Sequence, residues 1–135
     1  MVIVLCLTLF PLPAGAAEPG ISNLTYYDKV SELSDGMSRV TVNNKFGFID
    51  SSGKLVINMI YDNAEDFHEG LAAISKGGQW NEDGEYIEGK WGFIDKTGKV
   101  IVPIIYDKVC DFNEGYAAVT KDNKLGFVNK SGDIV

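Results

Sequence analysis

Lys90-Trp91-Gly92-Phe93-Ile94-Asp95-Lys96-Thr97-Gly98-Lys99-Val100-Ile101-Val102-Pro103 decides the fold of this chain. Phe93 and Ile94 suit a pleated, half-buried surface. Asp95-Lys96-Thr97-Gly98 has Asp first and Gly fourth, the signature of a type I turn closed by a left-handed residue. Such a turn is a common short hairpin connection. The return strand Lys99-Val100-Ile101-Val102 stops at Pro103, which cannot donate to a ladder. The phrase therefore predicts strand, turn, strand.

The same phrase occurs earlier as Lys45-Phe46-Gly47-Phe48-Ile49-Asp50-Ser51-Ser52-Gly53-Lys54 and later as Lys124-Leu125-Gly126-Phe127-Val128-Asn129-Lys130-Ser131-Gly132-Asp133. Three copies make a repeat protein. Mid-strand glycines at Gly47, Gly92 and Gly126 predict a bulge or a close approach by another backbone. The residues before them, Phe46, Trp91 and Leu125, are expected to anchor packing between repeats, with a ligand-facing Trp91 as the sharper alternative.

The other half of the unit reads Tyr106-Asp107-Lys108-Val109-Cys110-Asp111-Phe112-Asn113-Glu114-Gly115, matched by Tyr61 to Gly70 and, degenerately, by Tyr27 to Gly36. Each copy is followed by a strand-like run: Met37 to Val42, Leu71 to Lys76, Tyr116 to Lys121. Tyr27 and Tyr61 are 34 residues apart, as are Gly92 and Gly126; Tyr61 and Tyr106 are 45 apart because the second unit carries an 11-residue insertion. A 34-residue period also suits pairs of helices, but frequent turn signals separate β-branched runs of only a few residues, which fits strands. The connector beginning at Tyr61-Asp62 or Tyr106-Asp107 reads as one helical turn or a compact loop, with the Asp as its cap.

This pattern resembles the WG-repeat family, also called KWG repeats, on Lys90 to Pro103, Tyr106-Asp107 and Phe112-x-Glu114-Gly115-Tyr116-Ala117. The other units depart from it, with Phe46 and Leu125 in place of Trp and Asn58 in place of Pro. The resemblance implies a β-rich, largely bacterial and often exported protein, with a scaffold or binding role and no shared enzymatic activity.

At 135 residues and 45% hydrophobic content the chain has the size and composition of one globular domain. Its net charge of −7, with 12 basic and 19 acidic residues and no basic run, disfavours nucleic acid and anionic membrane surfaces as partners. Val2 to Phe10 is apolar but too short to span a bilayer. With small residues at Ala14 and Ala16 it reads as a signal peptide over residues 1–17, which places the mature chain in the periplasm, cell envelope or extracellular space. The apolar run lacks a preceding Lys or Arg, and an uncleaved anchor is the alternative, the one case in which a membrane enters. After cleavage Cys110 stands alone, expected as a buried, inert thiol.

The insertion, Gly77 to Gly89, reads as an extended hairpin turning near Asn81 to Gly84. Trp80 and Tyr86, with Glu82 and Asp83 at the tip, form the candidate partner-binding group, since insertions often map to a repeat array's binding face. The competing reading is a solvated hairpin whose aromatics form a cross-strand pair. Gln79 and Lys90 fall where a calcium loop needs its end ligands. The Gly-Lys pairs at Gly53-Lys54 and Gly98-Lys99 lack the spacing and the following Ser or Thr of a phosphate loop. His68, the only histidine, has Asn113 as its counterpart and reads as a surface residue; no nucleophile-base set can be assembled. No catalytic residue, metal site or cofactor is expected.

The sequence thus predicts an all-β tandem array of short antiparallel strands, roughly eight in residues 18–135, with a partial unit at 21–36, units at about 37–70 and 71–115, and a partial unit at 116–135. Phe46, Gly47, Gly53, Tyr61, Phe67, Trp91, Gly92, Gly98, Tyr106, Phe112, Gly126 and Gly132 are its structural positions. The expected function is a non-enzymatic exported module for binding or scaffolding, its ligand unspecified, with a protein or glycan as the candidate partner. The alternatives are a structural envelope protein that self-associates through open strand edges and, least favoured, a carboxylate-based hydrolase.

Overall fold

The computed structural model describes residues 26–135, so the signal-peptide reading of residues 1–17 lies outside the described residues. Thirteen strand segments make up the secondary structure: β1 (Lys29–Val30), β2 (Met37–Val42), β3 (Lys45–Asp50), β4 (Leu55–Tyr61), β5 (Asn63–Ala64), β6 (Leu71–Lys76), β7 (Gln79–Trp80), β8 (Tyr86–Ile87), β9 (Lys90–Asp95), β10 (Val100–Tyr106), β11 (Lys108–Val109), β12 (Tyr116–Lys121) and β13 (Lys124–Asn129). Eight of these have six or seven residues and five have two. All pairings are antiparallel, in sheets ordered β1-β2-β3-β4, β5-β6-β9-β10 and β11-β12-β13, plus the small β7-β8 ribbon.

The turns follow from their side chains. Asp95 Oδ1 accepts from the backbone N–H groups of Thr97 (2.9 Å) and Lys99 (3.1 Å) and from the Thr97 hydroxyl (2.6 Å). Gly98 closes the turn at φ +87° and donates its N–H to Asp95 O. Asp50 makes the same three bonds with Ser52 and Lys54. The connectors contain no helix. After a two-residue strand the chain reverses through Asp35-Gly36, Glu69-Gly70 or Glu114-Gly115, each with φ positive at both residues, the primed turn that matches strand twist. Asp62 and Asp107 therefore cap no helix. Asp62 forms an ion pair with Lys45, and Asp107 one with Lys90.

β4 runs into β5 with only Asp62 between them, yet the two belong to different sheets; β10 and β11 do the same around Asp107. The cores lie where sheets meet. Met37, Phe48, Ile57, Tyr61, Phe67 and Ile74 fill the first junction, and Trp91, Phe93, Val102, Tyr106, Phe112 and Val128 are among those filling the second. Leu71 and Ala73 of β6 point to one junction and Ala72 and Ile74 to the other. The middle sheet is thus apolar on both faces, as nearest-neighbour stacking requires. Edge-to-face pairs lock each junction: Phe48 on Phe67 at 4.7 Å and Phe93 on Phe112 at 4.8 Å.

The turn and connector aspartates give the fold an acid limit. Hydroxyl donation from Ser52 lowers the Asp50 carboxyl below its ordinary 3.8, and Thr97 does the same for Asp95; Lys45 and Lys90 lower Asp62 and Asp107. A group with a lowered folded pKa contributes fully above its unfolded value, and the contribution is lost as pH falls through the folded one. Glu65, raised first of all by burial, works in the opposite sense, because protonation relieves its cost. Thermal melts by circular dichroism should show no loss of stability down to about pH 4 and a progressive fall below it. A melting temperature that drops between pH 7 and pH 5 would contradict this assignment.

Candidate functional site

The insertion is an outgrowth of one hairpin connection. β2 passes to β3 through Asn43-Asn44 and β12 to β13 through Asp122-Asn123, two-residue turns with positive φ throughout. Between β6 and β9, the pair Lys76↔Lys90 closes the ladder and residues 77–89 replace that turn. Gly78 and Gly89 meet at its base, where a Cβ on Gly89 would lie 2.7 Å from the Gly78 nitrogen. Asp62 Oδ2 accepts the Gly78 N–H at 3.0 Å, tying the base to the connector.

Beyond the base, β7 and β8 pair through Gln79↔Ile87 and Trp80↔Tyr86. The Trp80 and Tyr86 rings lie 5.2 Å apart at 59°, a tilted aromatic pair of the kind that favours a hairpin. The tip is built by Asn81, whose Oδ1 accepts from the N–H groups of Asp83 (3.0 Å) and Glu85 (2.8 Å), with Gly84 at φ +79°. Trp80 is 72% exposed, Tyr86 44% and Ile87 50%. Glu82, Asp83, Glu85 and Glu88 surround them in solvent. The sequence offered a cross-strand pair and a binding anchor as competing readings; the rings do pair across the strands, and they are exposed as well.

A groove of about 230 Å³ runs beside the insertion's return arm, lined in part by Glu65, Glu88, Trp91, Lys108 and Asp111. Burial is the main cause of the raised Glu65 carboxyl, with Asp111 and Asp66 adding to it and Arg39 opposing. The Arg39 guanidinium sits 3.5 Å from Glu65 and 3.6 Å from Asp66 and donates to the Ala64 carbonyl. Trp91 is 9% exposed, with its ring in the second junction core, so it is only a marginal wall of this groove. His68 Nε2 lies 3.5 Å from Asp111 at the surface.

Three placements differ from expectation. Cys110 is exposed: it directly follows β11, the edge strand of its sheet, which pairs only on the β12 side. Leu125 is 69% exposed, whereas Trp91 at the same place is buried. A Cβ on Gly126 would meet nothing within 4 Å, whereas one on Gly47 or Gly92 would collide with backbone. Sequence reasoning also missed the Lys45–Asp62 and Lys90–Asp107 ion pairs. Their signal was present: a Lys before each aromatic-Gly pair, and an Asp after each Tyr, 17 residues on.

Among the described residues no group of three or more His, Cys, Asp or Glu side chains is arranged to hold a metal ion. A family model described as WG containing repeat matches residues 26–46, 46–80 and 91–124. Comparison with curated proteins and with solved structures gave no match.

Proposed function

This chain belongs to the WG containing repeat family, and from that premise we propose that it is a non-enzymatic, exported binding module whose contact element is the Trp80–Tyr86 hairpin. The observation that carries the reading is the exposure of two paired aromatics on a two-stranded arm. Large exposed aromatics are common binding anchors, and pre-pairing lowers the ordering cost of an incoming ligand. Four carboxylates around the rings favour neutral or cationic partners, such as an uncharged glycan or a basic peptide segment, over anionic ones. Export is supported by the apolar run from Val2 to Phe10 and the small residues Ala14 and Ala16. Mass spectrometry of the secreted product should give a chain beginning at Ala17 or Glu18.

The test is the double variant Trp80→Ala/Tyr86→Ala, compared with wild type on glycan and peptide arrays. The melting temperature should hardly change, because the hairpin lies outside both junction cores. Binding to any array component that retains wild type should fall at least ~30-fold, as for truncation of a binding hot spot. Undiminished binding with an unchanged melt would remove the hairpin from the site.

A further inference from the structure

We propose that the groove beside the insertion's return arm is a guanidinium site, and that it receives an arginine side chain from a partner protein. The site is separate from the aromatic pair, and the inference stands whether or not that pair binds.

The chain contains a filled version of the same site. At the first junction Arg39 of β2 reaches across to the next sheet. Its guanidinium carbon lies over the Phe46 ring, 5.9 Å from the ring centre. Its Nη1 donates to the Ala64 carbonyl and lies 3.5 Å from Glu65, and its Nε lies 3.6 Å from Asp66. A planar cation thus meets an aromatic ring, a backbone carbonyl and two carboxylates, a set that suits a guanidinium better than an ammonium.

One repeat further on, the frame is kept and the arginine is replaced. Arg39 pairs with Phe48 across its ladder, and Ala73 pairs with Phe93 in the same way. Trp91 takes the place of Phe46, Val109 that of Ala64 and Asp111 that of Asp66. Ala73, Trp91, Val109 and Asp111 all line the groove of about 230 Å³. The groove is therefore the volume that the Arg39 side chain fills at the first junction.

Charge favours a cation here as well. Cys110 replaces Glu65 in the repeat, but Glu65 itself lines the groove from the opposite side, where Ser31 stands at the first junction. Glu88 lines it from the insertion, which the first junction lacks. Glu65, Glu88 and Asp111 face a single ammonium, Lys108, which forms no ion pair among the described residues. His68 Nε2 lies 3.5 Å from Asp111. The Glu65 carboxyl is raised first by burial, with Arg39 opposing and Asp111 adding, and a cation in the groove relieves that repulsion. Trp91 offers only a margin of its ring, so the carboxylates and the carbonyl carry more of the recognition than the aromatic does. Arg39, the one arginine among the 135 residues, is already engaged, which points to a different protein as the donor. Free arginine is less suited, because its own carboxylate would approach Glu88 and Asp111.

The test is an NMR titration of the full chain with the capped peptide acetyl-glycyl-arginyl-glycine amide. The backbone amides of Val109 and Asp111 and the Trp91 indole N–H should shift saturably, with a millimolar dissociation constant. The lysyl peptide should bind several-fold more weakly, because an ammonium has no planar fork, and the alanyl peptide should not bind. Glu65→Gln/Asp111→Asn should weaken the arginyl peptide at least ~tenfold. Ala73→Arg, which rebuilds the first-junction contact within the chain, should abolish binding while the melting temperature holds or rises; where it does not fold, the carboxylate pair decides alone. Trp80→Ala/Tyr86→Ala should leave the titration unchanged, and a loss there would move the contact to the hairpin. The proposal is overturned by the absence of saturable shifts at the groove, by equal binding of the lysyl or alanyl peptide, or by binding that survives Glu65→Gln/Asp111→Asn. Free arginine binding as tightly as the capped peptide would overturn the assignment to a partner protein.

Discussion

Gly92→Val is expected to destabilise the chain by on the order of 3 kcal/mol, while Gly126→Val, the same change at the equivalent position, should leave the melting temperature in place. The cause is a bulge in the return strand. Trp91 to Phe93 spans two residue steps of β9, but their partners Tyr106 and Val102 are four steps apart on β10. The extra backbone arches over Gly92, so a Cβ there would lie 2.5 Å from the Val102 carbonyl oxygen and 2.8 Å from the Pro103 carbonyl carbon. Backbone cannot step aside as a side chain can. The same bulge recurs where Phe46 and Phe48 face Tyr61 and Ile57. Urea denaturation of both variants checks the pair. Equal losses would mean that the glycines are required for strand conformation and not for the crossing backbone.

Phe93→Ala is expected to cost about 4 kcal/mol. Phe93 is fully buried, meets Phe112 edge to face at 4.8 Å, and belongs to the core that joins the second sheet to the third. The loss combines removed apolar area with a cavity that two rigid sheets cannot collapse around. In an array stabilised by neighbour contacts, a weakened junction divides the molecule. Hydrogen exchange should therefore accelerate first in β12 and β13, while β2 and β3 keep their protection. Uniform acceleration across the chain would show that the three sheets unfold as one unit.

The all-β array was legible because each level of the sequence agreed with the next. Asp95 and Gly98 define a turn on chemistry alone, the β-branched runs define strands of the right length, and three copies fix the period. The insertion was legible for the same reason, since Asn81 and Gly84 carry a turn signature of their own. Other features depend on which neighbour a residue meets, and a repeat pattern does not encode that. Leu125 and Trp91 hold equivalent places, yet one faces solvent and the other a tyrosine. Cys110 follows Val109 as though buried, but lies exposed just past the edge strand β11. Asp62 and Asp107 looked like helix caps because Asp suits that role locally; the actual partner of each is a lysine in the preceding sheet. The aromatic hairpin could be located from sequence, but its use could not, because Trp80 and Tyr86 satisfy each other sterically whether or not a ligand arrives.

The passage of β4 into β5 and of β10 into β11, each across a single aspartate, bears on how the chain is made. Every pairing but one joins strands adjacent in the sequence, and the exception, β6 with β9, skips only the short β7–β8 ribbon. The last strand of one sheet becomes the first of the next. As the polypeptide emerges N-terminus first, each sheet can close before the following one is available, and the longest wait is that of β6 for β9 across the insertion. Vectorial synthesis and spatial order coincide, which keeps loop-closure cost low throughout assembly and limits the time for which apolar strand faces are open to the wrong neighbour.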